Sequence, residues 1–160
     1  MITLIAAVSK NNVIGDSTLK TMPWKCSKEL AFFKENTMGK IVVMGRKTVK
    51  QVGRLPGRDC IMLTRNPKQI MLNLFRPYDL HTLLEMERGS PELHFAICGG
   101  AEIYKQLEPY AHHALISYMN FDAKGDTFWE ELDAKWVETS THRFDEFIAI
   151  AYTNCNPLFY

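Results

Sequence analysis

The chain is short of the features that mark membrane, secreted or nucleic-acid-binding proteins. Its 19 Lys and Arg against 18 Asp and Glu leave a formal charge of +1 over 160 residues. That balance offers no broad field for a polyanion or an anionic membrane surface, so any basic residue that matters acts locally. No apolar run approaches the roughly 20 residues of a membrane-spanning helix. Residues 1–8 are apolar, but no basic segment precedes them and Lys10, Asn11 and Asn12 follow at once, a pattern unlike a signal peptide. The four cysteines, Cys26, Cys60, Cys98 and Cys155, form no C-x-x-C pair, and Cys60 and Cys98 sit inside apolar runs. They are expected to be reduced, mostly buried thiols of a cytoplasmic protein, with no metal site. Of five histidines, His112 and His113 are adjacent, and neighbours on a strand point to opposite faces, so surface histidines at a strand start are expected rather than a metal pair. There is no repeat, low-complexity segment or linker, and the length suits one domain over residues 1–160.

What is present is a regular alternation of short β-rich runs and helical patterns. It predicts an α/β fold: a central, mostly parallel eight-stranded sheet with a C-terminal antiparallel strand and about four helices on both faces. Strands are expected at residues 1–9, 40–44, 58–64, 93–98 and 111–120, with a terminal antiparallel pair at 136–143 and 147–154. Residues 72–75 are a candidate edge strand. A polar loop covers residues 10–26. Helices are expected at 27–36, capped by Ser27 with Leu30, Phe33 and Thr37 on the inner side, then at 46–52, at 80–88 capped by Asp79, and at 101–107.

Four places could carry chemistry. Glu29 lies in the first turn of the first helix, near Phe32 and Phe33 on the face bearing Leu30. Burial would raise its pKa while the helix N-terminus lowers it. Its carboxylate could accept two N–H donors from an amidine-like ligand, or it could be a solvated residue complementing the helix dipole. Gly45, Arg46, Lys47 and Thr48 stand at a strand end and helix start, where free backbone N–H groups suit a pyrophosphate; a basic surface turn is the alternative. Gly99 and Gly100 repeat that plan without forming a G-x-G-x-x-G fingerprint, and taken alone they fit a tight strand-to-helix turn better. Thr64 and Arg65 end the third strand, where a guanidinium could meet an additional phosphate or simply be solvated.

Taken in order, MITLIAAVSKNNVIG at the start, MPW at 22–24, Glu29 with Phe33, MGRKT at 44–48, LPGR at 55–58, ICGGAEIY at 97–104 and GDTFW at 125–129 resemble the dihydrofolate reductase family over essentially the whole chain. The resemblance implies hydride transfer from NADPH to 7,8-dihydrofolate, a reaction that feeds one-carbon and thymidylate metabolism, by a monomer. It implies Glu29 as the carboxylate anchoring the pterin, Ser117 as the hydroxyl supporting it, and Trp24 in a loop closing over nicotinamide. Ile5, Ala6, Leu30, Phe33, Val52, Leu55 and Tyr104 would line the folate pocket, with Arg58 pairing with the α-carboxylate of the glutamate tail. Ala7, Ile14 and Tyr104 would surround the nicotinamide. Gly45, Arg46, Lys47, Thr48, Cys98, Gly99, Gly100, Ala101, Glu102 and Ile103 would lie around the rest of the cofactor, and Thr64 and Arg65 on its 2′-phosphate side. A cis peptide bond between the two glycines is also implied.

Several features depart from the common pattern: a loop about two residues longer at 15–22, Val49 in place of a bulky aromatic, a turn one residue short before Pro56, an acid at Glu102, and an unusual 157–160 tail. Two rival readings follow. One is a same-fold NADPH-dependent pyrimidine reductase of riboflavin synthesis, against which Trp24, Glu29 and Arg58 argue. The other is an inert binding module, against which Glu29 and both glycine turns argue.

Overall fold

The computed structural model describes residues 1–66 and 75–159. Apolar, β-branched stretches form the strands β1 (Ile2–Val8), β3 (Ile41–Gly45), β4 (Asp59–Leu63), β5 (Arg76–Tyr78), β6 (Phe95–Ile97), β7 (His113–Met119), β9 (Trp136–Arg143) and β10 (Phe147–Asn154). They assemble in the order β5-β4-β3-β6-β1-β7-β10-β9. β10 runs antiparallel to both β7 and β9, and the remaining pairings are parallel. The expected sheet and terminal pair are therefore present. The ladder of the 93–98 run holds only the three residues of β6. The proposed 72–75 edge strand falls largely outside the described residues; the edge strand that is described is β5. A small second sheet pairs β2 (Val13–Gly15) with β8 (Thr127–Phe128), inside segments that the sequence marks only as loops.

Among the described residues four α-helices lie against the sheet: α1 (Ser27–Thr37), α2 (Arg46–Val52), α3 (Leu80–Gly89) and α4 (Ala101–Leu107). The period-2 alternation of each strand divides them between the two faces. Leu4, Val43, Phe95, Ile97 and Ile116 pack with Leu83 and Leu84 of α3 and Ile103 and Leu107 of α4. On the other face Val42, Met44, Cys60 and Met62 meet Val49 of α2. On that same face Ala7, Met119, Phe147 and Ala149 meet Phe32 of α1. Fully buried side chains such as Leu4, Phe95 and Leu107 each contribute roughly 1.5–3 kcal/mol.

Two helix starts differ in chemistry. Asp79 caps α3 as expected, accepting from Thr82 N at 2.8 Å, an interaction of about 1 kcal/mol. The N-cap of α1 is Cys26, not Ser27, and no side chain caps that end. The four cysteines are free thiols: Cys26 and Cys60 buried, Cys98 half-buried and Cys155 exposed. His112 and His113 are half-buried rather than surface groups. His112 Nδ1 accepts from Ile2 N at 3.2 Å, and His113 Nδ1 lies 3.3 Å from Thr153 Oγ1.

Candidate active site

α1 lies over β7 and β10, and α2 lies over β3 and β4, both on one face. β1 and β6 fall between them in the sheet, so the cleft between the two helices has Ile5, Ala7 and Cys98 on its floor. Ligands of open α/β sheets bind beyond the carboxyl ends of such strands.

Glu29 projects from the first turn of α1 and is half-buried. Burial raises its pKa above the usual carboxylate range, and a hydrogen bond from the Ser117 hydroxyl pulls it partway back. Ser117 is buried on β7 in register with Ala7, which places its hydroxyl on the cleft face beneath α1. Arg58 is 8 % exposed. Its Nη1 donates to Thr37 Oγ1 at 2.8 Å and its Nε to the Pro56 carbonyl at 3.2 Å. Its guanidinium lies 6.0 Å from the centre of the Phe33 ring. Thr37, itself buried, donates its hydroxyl proton to the Phe33 carbonyl at 2.8 Å and so retains a lone pair for Arg58. Among the described residues neither Glu29 nor Arg58 has an ion-pair partner. A half-buried acid and a buried cation thus stand without an ion-pair partner among the described residues, which is costly unless a ligand supplies one.

α1 holds a correction. Leu30 is 65 % exposed rather than packed inward, while Phe33 is half-buried and Thr37 fully buried along the same stripe. The stripe meets protein at the C-terminal end of α1 and open space at the Glu29 end. Phe32 does not share the face of Phe33. It turns away to Phe144 and Phe147, with ring centroids at 5.4 and 6.0 Å. Ala6 also differs: strand alternation sends its side chain into the core beneath α3 and α4, so only its backbone borders the cleft. Val52, at 48 % exposure, and the half-buried Leu55 stand on the α2 side.

The carboxyl ends of β3 and β6 carry two interlocked turns. Gly45 N donates to the Gly99 carbonyl at 2.8 Å. A Cβ on Gly45 would lie 2.7 Å from Ile103 Cγ1, so a side chain there would push the turns apart, and one on Gly100 would lie 3.2 Å from Thr48 Oγ1, a tight approach. Gly99 has φ +109° and a cis peptide bond to Gly100, as the resemblance implies. α2 and α4 begin at Gly45 and Gly100 with no side-chain cap. Exposed Arg46 and Lys47 and half-buried Thr48 flank the first of these starts. Uncapped backbone donors, two cations and a hydroxyl form a donor set that fits a pyrophosphate. Ala101 is half-buried and Glu102 exposed beside them. Ile103 is buried against Gly45, a packing role rather than a free contact surface. At the end of β4 exposed Arg65 is available to an anion, whereas Thr64 Oγ1 accepts from Asn66 N at 3.3 Å.

Tyr104 is buried and its hydroxyl donates to the Ile5 carbonyl at 2.8 Å, joining α4 to the cleft floor. Ile14 is half-buried and packs against the cluster that contains Tyr104. Trp24 packs edge-on against Phe121 at 5.8 Å. Sequence reasoning missed the role of Thr37. Thr37 appears there only as part of a helical stripe, and nothing in a linear pattern signals that its hydroxyl serves a guanidinium 21 positions later.

The family model described as dihydrofolate reductase matches residues 1–155. The type 3 dihydrofolate reductase of Salmonella typhimurium is 36% identical over 150 residues, covering 91% of this chain and 90% of that protein. The dihydrofolate reductase of Neisseria gonorrhoeae is 36% identical over 156 residues, covering 95% and 94%. A solved structure of the Enterococcus faecalis enzyme, complexed with NADP(H) and RAB-propyl, superposes with a TM-score of 0.83 at 26% identity, covering 96% of this chain and 95% of that one. With its helix-bounded cleft, paired glycine turns and near full-length matches, the chain belongs to the dihydrofolate reductase family.

Proposed function

We propose that Glu29 and Arg58 grip the two ends of dihydrofolate in the cleft between α1 and α2, while the turns at Gly45 and Gly99–Gly100 hold NADPH beside it. The activity is that of the family, the NADPH-dependent reduction of dihydrofolate to tetrahydrofolate. The observation that carries the assignment of residues is a half-buried acid and a buried arginine bordering one cleft, neither with an ion-pair partner among the described residues. A pterin offers an amidine-like pair of N–H donors at one end, and its glutamate tail offers a carboxylate at the other. The first suits Glu29 and the second suits Arg58.

The reduction adds a hydride to C6 and a proton to N5 of the pteridine. NADPH supplies the hydride when bound. The chain supplies position, since Ala7, Ile14 and Tyr104 border the place where the two rings must meet, and orientation accounts for much of the rate. Glu29 accepts from the far side of the pterin and polarises it, and water delivers the N5 proton. Trp24 and its loop limit how much water enters and gate product release. Arg65 takes the 2′-phosphate side. The balanced charge and the family resemblance support a monomer, and free buried thiols suit a reducing cytoplasm.

The test is loss of NADPH absorbance on adding dihydrofolate to the purified protein, blocked by methotrexate. Oxidation of NADPH only with a ribosylated aminopyrimidine would instead make the chain the riboflavin-pathway reductase. Gly45→Ala probes the cofactor turns. Its methyl must displace Ile103, at a cost of about 1–3 kcal/mol, and NADPH affinity measured by fluorescence titration is expected to fall alongside the melting temperature.

A further inference from the structure

Gln51 is the penultimate residue of α2, half-buried, and belongs to neither the pterin nor the phosphate contacts described above. Its carboxamide nitrogen donates to two backbone carbonyls of the 10–26 loop, Leu19 O at 2.8 Å and Asp16 O at 3.2 Å. A neutral amide nitrogen carries two N–H groups, and here each finds one acceptor. The carbonyls are presented by a compact turn. Leu19 N donates back to Asp16 O at 3.1 Å, and Thr18 donates its backbone N–H and hydroxyl to Asp16 Oδ1 at 2.9 and 2.6 Å. On its opposite side the turn is tied to Asp126, which accepts from Ser17 N at 2.9 Å and from the Ser17 hydroxyl. Asp126 N in turn donates to Gly15 O at 3.2 Å. The loop is therefore held at two points, one on the segment before β8 and one on α2.

We propose that Gln51 is a positioning residue that holds the loop carrying Trp24 across the mouth of the cleft, so that α2 and the loop close together on the nicotinamide end. The inference rests on the functional reading above. α2 begins at the Gly45 turn and ends at Val52, so one short helix spans from the phosphate turn to the loop anchor. A ligand seated on the Gly45 turn fixes α2, and Gln51 passes that fixation to the loop. The chemistry of the joint is directional: two carbonyl oxygens accept donors and repel other oxygens.

Gln51→Glu places carboxylate oxygens against Asp16 O and Leu19 O, whereas Gln51→Lys keeps a donor in reach. Because both hydrogen bonds are lost, Gln51→Glu is expected to speed NADPH dissociation about tenfold, equivalent to about 1.4 kcal/mol, read by stopped-flow fluorescence against a trapping ligand. Gln51→Lys should stay within about threefold of the parent, since each factor of ten is 1.4 kcal/mol. Hydrogen exchange in the ligand-free protein gives a second readout: amides of residues 16–24 should exchange faster in Gln51→Glu, while those of β1, β3 and β7 stay as in the parent. A parent that oxidises NADPH with dihydrofolate, paired with a Gln51→Glu variant of unchanged off-rate and loop exchange, overturns the positioning role alone. Uniformly faster exchange across the sheet would also overturn it, because Gln51 would then be a stability residue. A parent that binds no NADPH overturns the functional reading first and this one with it.

Discussion

Glu29→Gln is expected to lower turnover at neutral pH by about a hundred- to ten-thousand-fold while leaving the protein folded and able to bind NADPH. The amide is nearly isosteric, so packing survives. What is lost is a charge that accepts two N–H donors from the pterin and polarises the ring toward protonation. The same substitution should make the protein more stable at pH 7. Burial raises the pKa of Glu29 in the folded protein above its ordinary 4.5, so the folded state binds its proton more tightly than the unfolded chain does. The ionised carboxylate therefore destabilises the fold progressively as pH rises from 4.5 toward the raised value, and the deficit is complete above it. The neutral amide of the variant carries no such deficit. Thermal melts of the two proteins should differ at pH 7, with the variant higher, and the ionisation-linked part of that difference should disappear below pH 4.5. Steady-state NADPH oxidation reads the first effect. Turnover within a few-fold of the parent would remove Glu29 from the chemistry, and an unchanged melting difference across pH would show that its charge is solvated.

The second large effect is expected at Arg58. Arg58→Leu removes the buried guanidinium but keeps an apolar stem beneath Phe33. Losing one partner of a buried charge pair costs roughly 2–5 kcal/mol, which corresponds to a KM for dihydrofolate raised by about thirty- to several-thousand-fold. The rate at saturation should change far less, because the carboxylate that Arg58 meets is remote from C6 and N5. A reduced pterin without the benzoylglutamate tail should show no difference between parent and variant. If dihydrofolate and the truncated pterin lose affinity equally, Arg58 supports the wall of the cleft and does not bind the tail. Thr37 and Phe33 keep their own hydrogen bond in the variant, so α1 should retain its last turn.

Much of the fold is legible in the sequence because its signals are local. The strands 136–143 and 147–154 and the helices 46–52 and 101–107 stand at the bounds that alternation, turn residues and glycine stops indicate. The α3 cap at Asp79 is likewise a three-residue matter. β2 and β8 were not legible. Each is two or three residues long, too short to show a period, and each exists only because the other lies beside it. Ser27 has the right side chain for a cap, but the chain enters α1 through extended Cys26 and the helix begins one residue earlier than a Ser27 cap allows. The stripe 30–33–37 is periodic, yet periodicity cannot say which part of it meets protein. Leu30 faces open space because α1 borders a cleft there, and Phe32, expected beside Glu29, finds a better partner in Phe144 and Phe147.

The same division runs through the site. The sequence by itself determined the residue types and their order: an acid in a first helical turn, two glycine turns at strand ends, an arginine after a Leu-Pro-Gly turn, and an aromatic loop. Those follow from backbone chemistry within a few residues. Only the tertiary structure decided which groups lose water and which meet. Ser117 reaches Glu29 because β7 pairs with β1 in one register, and a slip of one residue would turn its hydroxyl to the other face. Thr37 serves Arg58, and Gln51 holds Asp16 and Leu19, across separations of 21, 35 and 32 residues. Burial, and with it the raised pKa of Glu29 and the unneutralised charge of Arg58, is a property of the packed sheet and helices. No short stretch of sequence carries it, because the dielectric around a charge is set by every element folded over it.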